Sequence, residues 1–177
     1  MSSSIPENDL EIRGEEPRDE AAVRLLNEEA FGSAEEADIV DALRASGKVT
    51  LSLVAELEGR VVGHILFSPV TIETPTRTVA AVGLAPMAVL PELQRRGIGS
   101  LLVRQGLEQC RRADHERMVV LGHPDYYPRF GFVPASRFGI RSEFGVPDDV
   151  FMALELRPGT FAGVSGTARY EEEFGEA

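Results

Sequence analysis

The chain has one cysteine, no tryptophan and three histidines among its 177 residues. The single cysteine, Cys110, excludes a disulfide within the chain. The histidines, His64, His115 and His123, have no spacing that would gather them with Cys110 around a metal ion. No apolar run approaches the roughly 18 residues that a membrane-spanning helix needs. We therefore expect a protein without a disulfide, a bound metal or a membrane span.

Basic residues are also in short supply, with 18 against 29 acidic ones and a net charge of −11 at pH 7. A surface this negative repels nucleic acid and anionic membranes, although a charge that serves only solubility explains the same number. The first residues, MSSSIPEND, are polar and lack the apolar core of a signal peptide. We expect a cytoplasmic protein that binds neither nucleic acid nor membrane, either a monomer or a homodimer.

The length and composition are those of an ordinary globular domain. Hydrophobic residues make up 43% of the chain and charged ones 27%, which is enough apolar material for one buried core. We predict a single domain over residues 1–177. Residues 1–8 have no apolar periodicity and predict a loose terminus, whereas residues 157–177, rich in glycine and acidic at the end, predict irregular structure or a short edge strand.

One stretch of the chain predicts the centre of a sheet. Val79–Leu90 has no charged residue, which is typical of a strand that is buried on both faces. Pro86 interrupts it, so the strand should bend or lose a neighbour there. A helix and a second apolar strand, Met118–Leu121, follow, and this order predicts a parallel βαβ pair.

The segment between that strand and the helix has the pattern of an anion-binding loop. Gly97 and Gly99 stand at the predicted helix start, where the first N–H groups have no intrahelical acceptor and the helix dipole favours negative charge. Arg95 and Arg96 add positive charge beside them. Two glycines separated by one residue also suit a plain tight turn, so this pattern by itself leaves both interpretations open.

Two motifs in this order resemble the GNAT superfamily of acyl-coenzyme A-dependent N-acyltransferases. The diphosphate motif of that family is Gln or Arg, two residues, Gly, one residue, and Gly or Ala, and residues 94–99 (QRRGIG) satisfy it. A later motif, Tyr, three residues and Gly-Phe, is satisfied by residues 127–132. The resemblance extends from about Leu10 to Leu156, and within the superfamily it is closest to a bacterial group of predicted N-acetyltransferases.

The resemblance implies a fold, a cosubstrate and a set of contacts. The fold is α/β (α+β), with a mixed, mostly antiparallel sheet, a parallel βαβ pair at the cofactor site and about four flanking helices. The cosubstrate is acetyl-CoA, whose pantetheine arm would pair with the central strand while backbone N–H groups hold the diphosphate. The implied cofactor-binding residues are Met87, Ala88, Val89, Gln94, Arg95, Arg96, Gly97, Ile98, Gly99 and Ser100.

Transfer of an acetyl group to an amine needs a proton donor for the thiolate and a base for the amine. Tyr127 occupies the position of the family's general acid, and its phenol is protonated at neutral pH. No ionisable side chain lies within Val79–Leu90, where some members have a glutamate base. Our candidates are His64, whose reference pKa is nearest neutrality, and the carboxylates Glu28, Glu29 and Glu56; deprotonation through ordered water is equally open.

Acidic residues surround the predicted helix-helix turn at Phe31–Ser33, and they would concentrate a cationic small amine or a basic peptide end. Solvated glutamates on two helices explain the same pattern. The competing hypotheses for the whole protein are a non-catalytic acyl-CoA sensor or partner module and, less compatible with the glycine spacing, a nucleotide-binding protein. The acidic residues concerned are Glu28, Glu29, Glu35 and Glu36.

Overall fold

Three α-helices and nine strands make up the part of the chain that this computed structural model describes, residues 9–175. The helices are α1 (Glu20–Phe31), α2 (Glu35–Ala45) and α3 (Ile98–Arg112). None of these helices has the length and apolar character of a membrane span. The strands are β1 (Leu10–Gly14), β2 (Leu51–Leu57), β3 (Arg60–Glu73), β4 (Thr78–Val89), β5 (Arg117–Leu121), β6 (Val133–Pro134), β7 (Ile140–Ser142), β8 (Phe151–Glu155) and β9 (Gly166–Tyr170).

The chain divides into two compact units, and the long strands β3 and β4 contribute to both. The first unit contains the residues up to Phe67 together with Pro86–Glu108. The second contains Ser68–Ala85 and the residues from Gln109 onward. A single domain over residues 1–177 stays a prediction, and the predicted loose terminus at residues 1–8 lies outside the described residues.

The first unit is an antiparallel arrangement of β1, β2 and β3, with β4 next to β3. Glu58 and Gly59 turn β2 into β3 with φ values of +51° and +79°, the left-handed pair that a tight two-residue hairpin requires. The helices bury one apolar stripe each, as amphipathic helices do. The stripes of α1 and α2 are completely or almost completely buried at Val23, Leu26, Ala37, Val40 and Leu43.

The second unit contains the parallel pair. Val82–Leu84 of β4 lie beside Met118–Val120 of β5 in parallel register, which confirms the βαβ pair predicted from the sequence. β5 then pairs antiparallel with β8, and β8 with β6. β9 pairs antiparallel with Val70–Glu73 of β3 and parallel with β7.

Two details differ from the sequence-based expectations. The described residues contain three α-helices, whereas about four were expected, because prolines and glycines divide the segment between β5 and β8 into single 3-10 turns. The C-terminal segment forms β9, which has neighbours on both sides and is not an edge strand. Its place depends on Gly166, where a Cβ would lie 1.9 Å from the carbonyl oxygen of Glu73.

Candidate functional site

A short loop joins the end of β4 to the start of α3. Arg95 and Gly97 both have left-handed backbone conformations, with φ values of +64° and +92°. Glycine adopts such a conformation freely, whereas a residue with a Cβ is strained by about 1–2 kcal/mol. Strain of this kind at a non-glycine residue is concentrated at functional sites, but Glu58 and Asp114 also have positive φ, so the shape of this loop is compatible with a ligand site and with a tight turn.

The amide groups of this loop have the arrangement that an anion needs. The first helical hydrogen bond of α3 is from the N–H of Leu101 to the carbonyl of Gly97, at 3.1 Å. The N–H groups of residues 95–99 donate no hydrogen bond to any residue in the described part of the chain. The positive end of the helix dipole lies among these donors, and the side chains of Arg95 and Arg96 are exposed beside them. A loop with these properties can hold a diphosphate.

Hydrogen bonds hold the loop to the strands that precede it. The side-chain amide of Gln94 donates from Nε2 to the carbonyl of Val89 at 3.1 Å, and the N–H of Leu90 donates to the carbonyl of Val62 at 3.0 Å. Gln94 therefore supports the shape of the loop. The carbonyl of Val89 keeps a second lone pair for another donor.

Two glycines that the sequence analysis did not select bring α3 close to the sheet. A Cβ at Gly63 of β3 would lie 3.0 Å from Ile98 Cγ2, and a Cβ at Gly106 of α3 would lie 2.4 Å from the ring of Phe67. The first turn of α3, and with it the loop, takes its position from these close approaches. For Gly63, the available sequence signal is a glycine within a predicted strand, GHILF.

The end of β4 continues past its parallel neighbour. The ladder with β5 stops at Leu84, two residues before Pro86, as expected for a strand interrupted by proline. β4 then runs on to Val89, with Ala88 buried and its neighbour Met87 half-buried. Met87, Ala88 and Val89 thus form a strand end that leads directly into the anion-binding loop.

Tyr127 begins a short 3-10 helix, Tyr127–Phe130, in the second unit. Its ring is only 7% exposed and makes edge contacts with the rings of Tyr126 and Phe132, at centroid distances of 5.1 and 5.7 Å. No described residue makes a hydrogen bond with its hydroxyl group. Burial, reinforced by Tyr126, raises the pKa of Tyr127 to about 12, so the phenol is protonated at every physiological pH and has a proton to donate.

His64 lies in the interior of the first unit with both ring nitrogens in polar contact. Nε2 is 3.0 Å from Ser52 Oγ, and Nδ1 is 3.3 Å from Asn27 Nδ2. The same Nδ2 donates to the carbonyl of Val23 at 3.0 Å. Because Nδ2 is a donor, Nδ1 of His64 must accept, and the ring proton is therefore on Nε2, directed at Ser52.

This arrangement favours a structural role for His64. The nitrogen that would have to take up a proton, Nδ1, already faces an amide donor, and the side chain is completely buried. Burial, together with the nearby positive charge of Arg44, lowers the pKa of His64 to about 3. The Glu15 carboxylate lies 3.9 Å from Nε2, but it is paired with Arg44 at 2.7 Å, so the two charges largely offset each other and burial dominates. A histidine that stays neutral above about pH 3 is a weak base for an ammonium group.

The buried neutral His64 predicts a specific dependence of stability on pH. Its folded pKa is lowered, so the unfolded chain binds a proton below about pH 6.5 while the folded chain does not until about pH 3. Stability is therefore lost as the pH falls through this window, with a slope of about 1.4 kcal/mol per pH unit. Between pH 7 and pH 5 the free energy of unfolding should fall by about 2 kcal/mol less in His64→Gln than in the parent.

Urea unfolding at the two pH values measures this difference directly. The same change at the exposed His123 is the control for the loss of one histidine from the chain. An equal pH dependence in parent and His64→Gln would contradict the neutral, buried state of His64.

The acidic candidates have different surroundings. Glu29 is exposed on α1, whereas Glu28 pairs with Arg24 at 3.2 Å. Glu36, in the first turn of α2, has one carboxylate oxygen buried without a hydrogen-bond partner among the described residues. Glu56 accepts a hydrogen bond from Arg13 at 3.2 Å. Across residues 9–175, no three His, Cys, Asp or Glu side chains converge as ligands for a metal.

A parallel βαβ pair whose helix starts with N–H groups that donate to no described residue is an arrangement that can hold a phosphorylated ligand. The sequence model of the family described as "Acetyltransferase (GNAT) domain" matches residues 11–135. The chain belongs to the GNAT acetyltransferase family.

Two relatives from Escherichia coli K12 extend the similarity over most of the chain. One is described as "Uncharacterized N-acetyltransferase YjhQ" and is 37% identical over 153 residues, which cover 82% of this chain and 84% of the relative. The other, "Uncharacterized N-acetyltransferase YhbS", is 35% identical over 164 residues, covering 92% and 97% of the two chains.

Solved structures similar to this protein contain coenzyme A or its acetyl thioester. The crystal structure of the GNAT family N-acetyltransferase YhbS from Escherichia coli in complex with CoA has a TM-score of 0.89 and 34% identity, covering 94% of this chain and 92% of that one. The GNAT family acetyltransferase from Brucella melitensis in complex with acetyl-CoA has a TM-score of 0.78 and 39% identity, covering 93% and 97%.

Proposed function

We propose that this protein transfers the acetyl group of acetyl-CoA directly to an amine of a small molecule or peptide. The observation that carries the proposal is the row of N–H groups at residues 95–99, which have no acceptor in the described chain and stand at the start of a helix. A diphosphate satisfies such a row, and the similar proteins from Escherichia coli and Brucella melitensis hold CoA or acetyl-CoA. The charge of the loop supports the same ligand.

In this proposal the cosubstrate is held mainly by backbone groups. The N–H groups from Arg95 to Ser100 bind the diphosphate, with the guanidinium groups of Arg95 and Arg96 adding charge. The backbone of Met87–Val89 offers the donors and acceptors of a strand to the amides of the pantetheine arm. Gln94 keeps the loop in place through its bond to Val89.

Tyr127 is proposed as the proton donor. The amine nitrogen forms a bond to the thioester carbonyl carbon, the C–S bond breaks, and the phenolic proton passes to the sulfur. Water then returns a proton to the phenolate. Burial, which raises the pKa of Tyr127, would also raise the pKa of a thiol in equally apolar surroundings, so the sulfur would hold the transferred proton more strongly.

The acceptor amine must lose a proton before it attacks. We propose that this proton leaves through ordered water, because the contacts of His64 leave it a poor base. Glu29 remains the protein carboxylate to test, since its side chain is exposed. A water route predicts that kcat/KM rises with pH until the amine is neutral, and that Glu29→Gln keeps this profile.

The experiment that tests the function follows free thiol during incubation with acetyl-CoA and a panel of primary amines. Mass spectrometry of the acetylated amine accompanies it, so that transfer is separated from hydrolysis of the thioester. Transfer to at least one amine supports the proposal. Tight binding of CoA with no transfer to any amine would favour the acyl-CoA sensor, which needs the anion-binding loop but no catalytic base.

We also propose a cationic acceptor, because Glu29 and Glu35 are exposed, Glu36 has a buried carboxylate oxygen without a hydrogen-bond partner among the described residues, and the chain has a net charge of −11. Such a field attracts cations and weakens with salt, since the screening length falls from about 10 Å at 0.1 M to about 3 Å at 1 M. Agmatine should therefore be a better acceptor than γ-aminobutyrate, which carries a carboxylate on a similar chain. The kcat/KM for agmatine should fall as the salt concentration rises.

Two variants with equal charge changes test the location of this field. Changing Glu28, Glu29, Glu35 and Glu36 to glutamine should flatten the salt dependence of kcat/KM. A control variant that removes four exposed acidic side chains from other parts of the surface should leave the salt dependence of kcat/KM as steep as in the parent. A better rate with γ-aminobutyrate, or equal salt dependence in both variants, would contradict a cationic acceptor. The control substitutions are Glu11→Gln, Glu58→Gln, Asp148→Asn and Asp149→Asn.

A further inference from the structure

Gly122 lies directly against the ring of Tyr127. It follows the last residue of β5, and its N–H donates to the carbonyl of Val150 at 2.9 Å, which holds the backbone in place. A Cβ at this position would lie 2.4 Å from Cε2 and 3.0 Å from Cδ2 of Tyr127. Atoms do not approach so closely, so the ring of Tyr127 occupies the space that a side chain at residue 122 would fill.

Other rings also restrict Tyr127. Tyr126 and Phe132 contact it edge to face, and the guanidinium group of Arg129 lies 4.6 Å from the centroid of Tyr126. The ring of Tyr127 is thus packed between the rings of Tyr126 and Phe132 and the backbone of Gly122. Its hydroxyl has no hydrogen-bond partner in the described chain, so packing against these neighbours determines where the proton is held.

We propose that Gly122 is a positioning residue, whose missing side chain determines where Tyr127 delivers its proton. This inference rests on the proposed function of Tyr127 as the donor. A Cβ at residue 122 would lie 2.4 Å from Cε2 of Tyr127, whereas an ordinary van der Waals contact begins near 3.4 Å. An alanine at residue 122 would therefore displace the ring by about 1 Å. Misplacement of a catalytic group by about 1 Å can lower a rate by about 10²-fold.

The substitution Gly122→Ala separates this role from a role in the fold. Gly122 does not have a left-handed φ, so alanine is compatible with its backbone, and the effect on the ring is isolated. Gly14→Ala is the matched control, because a Cβ there would meet no atom of the described residues within 4 Å. Each variant is assayed with acetyl-CoA and agmatine, and by the slower hydrolysis of acetyl-CoA, which needs the same protonation of sulfur.

We expect Gly122→Ala to lower kcat by about 10²-fold with KM for acetyl-CoA within about two-fold of the parent. In a Tyr127→Phe background the same change should lower kcat no further, because the proton donor is already absent. The chain has three tyrosines, so NMR with ring-labelled tyrosine gives a direct measurement of position. The Tyr127 signal should shift in Gly122→Ala, while the Tyr170 signal should not.

Several results would overturn the inference. One is a kcat within about three-fold of the parent in Gly122→Ala while Tyr127→Phe is strongly impaired. Another is a full further loss of kcat in the double variant, since Gly122 would then act on something other than Tyr127. A chain that does not fold would assign Gly122 to the fold. Failure of the proposed function looks different, because Tyr127→Phe would itself keep the parent rate.

Discussion

Tyr127→Phe is expected to lower kcat by about 10²–10⁴-fold without changing the affinity for acetyl-CoA. The substitution removes one hydroxyl and leaves the ring, whose contacts with Tyr126 and Phe132 hold it in place. The departing thiolate would then have to leave without its proton donor. Single-turnover kinetics measure the chemical step, and calorimetry measures binding of acetyl-CoA to the same preparation.

The neighbouring tyrosine provides the control. Tyr126→Phe is the same chemical change one residue away, outside the Tyr-x-x-x-Gly-Phe spacing, and it should lower kcat by less than about three-fold. If both variants have the parent rate when chemistry is limiting, Tyr127 is an ordinary aromatic residue of the core. If Tyr126→Phe has the larger effect, the donor is the adjacent phenol.

Gly97→Val is expected to weaken binding of CoA by about 10²-fold or more while the protein stays folded. Gly97 has a φ of +92°, and a Cβ there would meet no atom of residues 9–175 within 4 Å, so the branched side chain would project from the loop without a clash with these residues. A diphosphate that loses two hydrogen bonds from N–H groups loses about 3–6 kcal/mol, since each bond to a charged group contributes about 1.5–3 kcal/mol.

The control must reproduce the backbone strain without touching the loop. Gly47, after α2, has a φ of +71°, and no atom in the described part of the chain lies within 4 Å of its Cβ position. Valine at either glycine should lower stability by a similar amount, about 1–2 kcal/mol. Only Gly97→Val should weaken CoA binding in a calorimetric titration. Equal affinities for CoA in the two variants would show that the loop does not hold the diphosphate.

The elements predicted best were those that depend on neighbours in the sequence. The parallel pair of β4 and β5 is present in the structure. Unbroken apolar runs are local features of the sequence, so they predict a strand without knowledge of its partners. The place of β9 was not predicted, because it depends on the close approach of Gly166 to a strand about ninety residues earlier.

The candidate site divides in the same way. The anion-binding loop and Tyr127 were selected from the sequence because each belongs to one short motif. The surroundings of His64 could not be predicted from the sequence, because Ser52 and Asn27 belong to a strand and a helix that contact its two ring nitrogens only in the folded protein. These contacts favour a structural role for a residue that the sequence had made a candidate base.

By itself, the sequence determined the family, the order of the central strands and the loop that can bind a diphosphate, because glycine spacing, apolar periodicity and a tyrosine motif are properties of contiguous residues. Only the tertiary structure decided which side chains are buried and what each one touches. Gly63, Gly106 and Gly122 were not selected from the sequence, and their importance comes from a helix or ring packed where a Cβ would be. Such close approaches join residues that are distant or unordered in the unfolded chain, so they exist only once the fold is formed.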